Sequence, residues 1–193
     1  SGYQHNDSFP GSHPLYAGPL GYNGSKAGMQ LIAQADVVLA LGTRLNPFST
    51  LPGYGIDYWP KNAKIIQVDI NSDRIGLTKD VSIAIQGDAK LVTLQLLENL
   101  QDNAGDRNRS ERKAIIAKTK SSWLQTLSSM DHEEDDPGTS WNERARNREP
   151  EHMSPRMAWR AIQSVLPKNA IISSDIGNNC AIGNAYPTFE TGR

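Results

Sequence analysis

The sequence predicts an α/β fold built on a doubly wound, mostly parallel sheet, and three observations carry that prediction. The first is Val37-Val38-Leu39-Ala40-Leu41, an apolar run too short for a helix and polar on neither face. Such a run suits a parallel strand covered on both sides. The second is a matching run from Lys64 to Ile70, with Asp69 near its carboxyl end. The third is a glycine-rich stretch, Gly18 to Gly24, that leads into a helical segment just before the first run. Small and polar residues gather where the runs stop, as in Gly42-Thr43-Arg44. Doubly wound sheets bind ligands outside the carboxyl ends of their strands, so these positions are the first candidates for a site.

Composition narrows the class. A chain of 193 residues can bury one full core and part of a second. Lys and Arg number 20 against 21 Asp and Glu, a formal net charge of -1, which gives no electrostatic case for a nucleic acid or an anionic membrane as partner. No run approaches the roughly 20 apolar residues that a membrane span needs. One cysteine, Cys180, excludes an intramolecular disulfide and fits a reducing, cytoplasmic compartment. The start at Ser1 carries no signal pattern and Thr191-Gly192-Arg193 closes no element, so an internal piece of a longer protein is expected.

Taken in order, residues 1–17 hold two Pro, two Gly and several Asn, Asp and Ser, and read as loop. His5 and His13 lie there, either lining a site or simply exposed. Ser25 to Ala35 is a short helix with Ser25 as N-cap and Ala27, Leu31 and Ile32 available to the sheet. The glycines before it, Gly18, Gly21 and Gly24, are spaced Gly-x-x-Gly-x-x-Gly and not Gly-x-Gly-x-x-Gly as in dinucleotide binders. They suit either an approaching anion or a tight connection. Asn46 to Pro60, with Tyr54, Tyr58 and Trp59, is a long loop, and it reads as a subunit contact or as a cap on the core's edge. Asp69 is placed to hold a ribose hydroxyl or to cap the turn Asn71–Gly76. Val81 to Ile85 is a third strand. Gly87-Asp88 opens a helix with Asp88 as N-cap and Leu91, Leu94, Leu97 and Leu100 toward the sheet.

From Gln101 the composition changes. A helix from about Ser110 to Met130 carries Ile116, Trp123, Leu127 and Met130 on one stripe. The acidic run Asp131–Asp136 around His132 lacks the spaced ligands and turn glycine of a hard-ion site, and with Arg144–Arg148 it reads as solvated linker. Ser154-Pro155 opens another helix, with Ala158, Ile162, Val165 and Leu166 as its buried stripe. Ala170 to Ser174 is expected as a strand ending in Asp175-Ile176-Gly177-Asn178-Asn179. The expected organisation is therefore a central α/β domain over 1–100, truncated at its N-terminal side. A charged helical linker follows over 101–152, then the start of a second α/β domain over 153–193.

Several of these phrases together resemble the central domain of thiamine-diphosphate enzymes of the acetolactate synthase and pyruvate oxidase superfamily. They are the glycine loop, Ala35-Asp36, Leu41-Gly42-Thr43-Arg44, Ile65 to Ile70 with Asp73 and Ile75-Gly76, and Gly87-Asp88-Ala89. More narrowly, Tyr3 to Asp7 with Phe9 to Pro14, Gly18 to Lys26, Arg44 to Pro60 and Asp175 to Arg193 resemble the sulfoacetaldehyde acetyltransferase family. The resemblance implies conversion of sulfoacetaldehyde and phosphate to acetyl phosphate and sulfite, as in taurine degradation. It implies thiamine diphosphate and Mg2+ as cofactors, with the activating glutamate and the metal ligands outside this chain, and a homodimer or homotetramer. Gly177, Asn178 and Asn179 then stand where relatives bring backbone and amide groups to the diphosphate, although relatives often carry Gln-His there. Some relatives hold FAD or ADP in the central domain, at positions matched here by Gly42, Arg44 and Asp69. Because the acetyl transfer involves no net redox change, FAD is not expected. The alternatives are an acetolactate-synthase-like or decarboxylating lyase, and a non-catalytic FAD- or ADP-binding module.

Overall fold

The computed structural model describes residues 1–103, 109–131, 154–167, 169–175 and 177–190. The charge runs from His132 to Asp136 and from Arg144 to Arg148 lie outside the described residues. Three strands, β1 (Val37–Leu41), β2 (Lys64–Asp69) and β3 (Ile83–Gln86), form a parallel sheet in the order β1-β2-β3. Val38 pairs with Ile65, Ala40 with Gln67 and Leu41 with Val68, and Val68 pairs in turn with Ile85. This is the parallel sheet that the apolar runs predict.

Paired residues of a parallel ladder share a face, so Val38, Ala40, Ile65 and Gln67 point the same way. Ala40, Leu45 and Ile65 form the core there, with Val38, Trp59 and Val81 packed against it. The opposite face corrects the expectation of strands covered on both sides. Val68 in the middle strand is fully buried, but Val37 and Leu39 of β1 are 50% and 45% exposed and Ile83 of β3 is 51% exposed. The cover on that face reaches the central strand and stops short of its neighbours.

Helix α1 (Lys26–Ile32) buries Ala27, Met29 and Leu31 and packs against α4 (Ser110–Asp131), which contributes the buried Ile116 and Trp123. Of the stripe predicted on α4, Ile116 and Trp123 are buried and Leu127 is half-buried, while the Met130 side chain lies outside the described residues; this face docks the charged helix onto α1. Between them a short α2 (Pro47–Thr50) forms inside the proline-rich loop, with Asn46 as N-cap. In the same loop Tyr58 and Trp59 cap the core's edge.

The stripe predicted on α3 (Ala89–Asn103) is corrected. Leu91, Leu94, Leu97 and Leu100 are all exposed, while the half-buried residues are Ala89, Val92, Thr93 and Leu96. A helix turns about 100° per residue, so a repeat of three drifts around it until Leu100 stands opposite Leu91. Spacing of three, four and seven from Ala89 stays on one face, and this is the helix that packs on β2.

Beyond residue 153 lie α5 (Pro155–Val165) and α6 (Asn178–Ala185), which touch each other. Ser154 caps α5, as predicted. Two expectations fail here. Ile162 and Val165 are exposed, the half-buried positions being Arg156, Ala158, Trp159, Gln163 and Leu166. Residues 170–174 form no strand, because a strand exists through its ladder and among the described residues nothing pairs with this one.

Candidate functional site

The carboxyl ends of the three strands are drawn together by backbone bonds. The Gly42 N–H donates to the Val68 carbonyl (2.8 Å) and the Gly87 N–H to the Asp69 carbonyl (3.0 Å). Asp69 is buried, and its Oδ1 accepts the Asn71 N–H at 2.9 Å. Of its two predicted roles, the turn cap is the one the structure displays. Arg44 is exposed, and its carbonyl accepts a hydrogen bond from the Thr78 hydroxyl at 3.0 Å.

Gln67 is the residue that sequence reasoning missed at this edge. It is 1% exposed, and its Nε2 donates to the carbonyls of Thr43 (2.9 Å) and Arg74 (3.2 Å). Its Oε1 accepts the Gly76 N–H at 2.9 Å. One amide thus ties the loop after β1 to the loop after β2. The available signal was a lone glutamine inside Ile65-Ile66-Gln67-Val68, since a buried amide persists where its donors and acceptors are satisfied.

At the glycine loop the tight-connection reading prevails. A side chain on Gly21 (φ +101°) would collide with the Phe48 carbonyl, which already accepts the Tyr22 N–H at 2.8 Å. The space beside this glycine is taken by α2. Ser25 caps α1 by accepting the Gly28 N–H at 3.2 Å. A cavity of about 210 Å³ lies between this loop, α4 and the segment after α6, lined by Gly24, Ser25, Lys120, Trp123, Leu127 and Tyr186. Tyr54, in a left-handed conformation (φ +53°), touches two of these lining residues, donating to the Gly24 carbonyl at 2.9 Å and meeting Trp123 edge-on at 5.1 Å. Burial drives its phenol well above the ordinary tyrosine range, Tyr186 adds to the shift and Arg156 opposes it. His5 and His13 are exposed, and the His13 ring accepts the Leu15 N–H at 3.1 Å.

The third place is the start of α6. Gly177 is its N-cap, with φ +120° and ψ −168°, a conformation that L side chains rarely adopt. A Cβ added there would meet none of the described residues within 4 Å. The first amides of any helix lack intrahelical acceptors. A glycine and helix-start amides form a donor set that suits an anion. The side chains of Asn178 and Asn179 lie outside the described residues. Among those residues no group of three or more His, Cys, Asp and Glu is placed to hold a metal. No described helix is long and apolar enough to cross a membrane.

Residues 1–97 match the family described as thiamine pyrophosphate enzyme, central domain. The chain belongs to that family. It is 78% identical over 192 residues to a sulfoacetaldehyde acetyltransferase of Roseovarius nubinhibens, a match covering 100% of this chain and 32% of that protein. It is 72% identical over 193 residues to one of Rhodobacter capsulatus, covering 100% of the chain and 33% of the relative. A probable acetolactate synthase large subunit of Methanocaldococcus jannaschii is 31% identical over 177 residues, 89% of the chain and 26% of the relative. The chain thus spans about a third of the length of these curated relatives.

Within this thiamine pyrophosphate enzyme central domain, Gly42 and Asp69 both lie at the carboxyl ends of the strands, Gly42 bonded to Val68 and Asp69 to Gly87 and Asn71. Gln67 is not singled out by the sequence, yet its amide joins the loops after β1 and β2.

Proposed function

We propose that the chain is part of a thiamine-diphosphate-dependent acetyltransferase that converts sulfoacetaldehyde and phosphate to acetyl phosphate and sulfite. The observation that carries this reading is the 72–78% identity, along the whole chain, to relatives named for that activity. Identity to the acetolactate synthases is far lower. The domain boundaries at 100 and 152 belong to the same proposal, as do a cytoplasmic location, a homodimer or homotetramer, and Mg2+ held by ligands outside this chain.

The chemistry that thiamine diphosphate supplies when bound is nucleophilic attack on an aldehyde carbonyl. The part taken by this chain's residues is to hold and orient. Gly177 and the opening amides of α6 receive diphosphate oxygens, with Asn178 and Asn179 as the adjacent amide side chains. Gly42, Arg44 and Asp69, the nucleotide positions of some relatives, serve here as scaffold, since the Asp69 carboxylate is engaged by Asn71. The central domain shapes the site and supplies no acid or base, so the chain alone is expected to be inactive.

The full-length protein, supplied with sulfoacetaldehyde or with pyruvate, tests the reading. Phosphate-dependent sulfite release with little turnover of pyruvate supports it. Acetolactate from pyruvate with no sulfite would replace it with a lyase.

A further inference from the structure

We propose that the N-terminal segment, residues 1–17, is a clamp that sets the position of α6, with Asn6 as the positioning residue. The inference rests on the reading above in taking the Gly177 end of α6 as the cofactor end. Residues 1–17 read from sequence as plain loop, yet they hold two buried residues, Tyr3 and Asn6.

One end of the segment is anchored on the central domain. Gly2 bridges to Leu20, and the Leu20 N–H donates to the Ser1 carbonyl at 2.9 Å. The other end grips the chain leaving α6. Asn6 is 5% exposed, and its Nδ2 donates to the Pro187 carbonyl at 2.7 Å. Its Oδ1 accepts from the Tyr16 hydroxyl and, at 3.4 Å, from the Ser1 hydroxyl. The Gly11 N–H donates to the Phe189 carbonyl at 2.7 Å, and a Cβ on Gly11 would collide with the Thr188 side chain. From the far side Gln163 of α5 makes a reciprocal pair with Thr188, accepting its N–H at 3.1 Å and donating to its carbonyl at 2.6 Å.

The backbone groups of three consecutive residues, Pro187, Thr188 and Phe189, are therefore held from both sides without a sheet, by two side chains and one main-chain N–H. The grip begins one residue beyond the C-cap of α6, Tyr186. Tyr3 adds a contact on the helix itself, its phenol lying against Asn184 and Cys180. Helix α6 is 8 residues long, about 12 Å. A rod that short transmits a shift at its clamped end directly to Gly177. Asn6 is suited to the work because its donor and its acceptor are committed in opposite directions, so no other rotamer satisfies both.

The test uses the full-length protein and two readouts: the dissociation constant of thiamine diphosphate in Mg2+ buffer, from tryptophan quenching, and hydrogen exchange of the α6 amides. Asn6→Asp keeps the acceptor and removes the donor, Gly11→Ala forces Thr188 away, and Ser82→Ala is a control that removes a sheet-edge bond to the Ile65 N–H (3.2 Å). The first two are expected to weaken cofactor binding about tenfold or more and to speed α6 exchange. The control is expected to lower Tm with binding within about twofold of wild type. Binding within about twofold for both clamp variants, or equal weakening by the control, overturns the inference. Should Asn6→Asp fail to fold, Gly11→Ala decides alone. Should the wild type bind no thiamine diphosphate, the functional reading fails, and α6 exchange still judges the clamp: faster exchange in the variants upholds it and unchanged exchange refutes it.

Discussion

The two halves of the molecule are held together by different means. In the central domain each strand is fixed by its neighbour's ladder and one shared apolar face, with Ala40, Leu45 and Ile65 at its centre. Among the described residues after 153 no strand forms, and the extended segment at Pro187–Phe189 is pinned by Asn6 from the N-terminal segment and by Gln163 of α5. A ladder is redundant, since losing one contact leaves the rest in register. A clamp is not, and its loss moves whatever it holds. Stability therefore resides in the first half, and the adjustable geometry of the proposed cofactor end in the second.

Substitutions can sharpen that contrast. Trp123→Ala should be the most damaging, because Trp123 is buried, packs α4 against the central domain and meets Tyr54 edge-on. A loss of about 3–5 kcal/mol is expected in urea unfolding of the full-length protein, and a loss below about 1 kcal/mol would mean that α4 is only a tether. Gln67→Leu comes next. It strands the Thr43 and Arg74 carbonyls and the Gly76 N–H, and should cost about 2–3 kcal/mol while cofactor affinity falls only with global stability.

Gly177→Ala should do the reverse. At φ +120° an alanine is strained by about 1–3 kcal/mol, and the expected result is cofactor binding weakened about tenfold with the central domain's unfolding unchanged. Unchanged binding would remove Gly177 from the proposed site.

The smallest effect is a pH dependence. Burial pushes the Tyr58 phenol up to about 12 from its ordinary value of 10.0. A folded-state pKa above the unfolded one gives stability that is complete below pH 10 and is lost as pH rises toward 12. Thermal unfolding followed over that window should show a smaller decline for Tyr58→Phe than for wild type. Equal declines would place the titration elsewhere.

Much of the first half was legible because its signals are local. An apolar run of strand length, a serine before a helix and a helix-period stripe at Ile116 and Trp123 each stand in the sequence itself. The α3 stripe was misread where leucines invite counting by threes and the helix turns every 3.6 residues or so. What stayed hidden was non-local. The Asn6 bond to Pro187 joins the two ends of the chain, and no spacing rule reaches that far. Residues 170–174 have strand composition, but pairing makes a strand, and among the described residues none pairs with them. At the site, the carboxylate of Asp69 had two readings, and its contact with Asn71 displays the turn cap.

The most direct test of the proposed activity is product stoichiometry. The full-length protein, given sulfoacetaldehyde and phosphate, should form sulfite and acetyl phosphate in equal amounts, and only after thiamine diphosphate is added. Sulfite formed without acetyl phosphate, or turnover unaffected by the cofactor, would contradict the account.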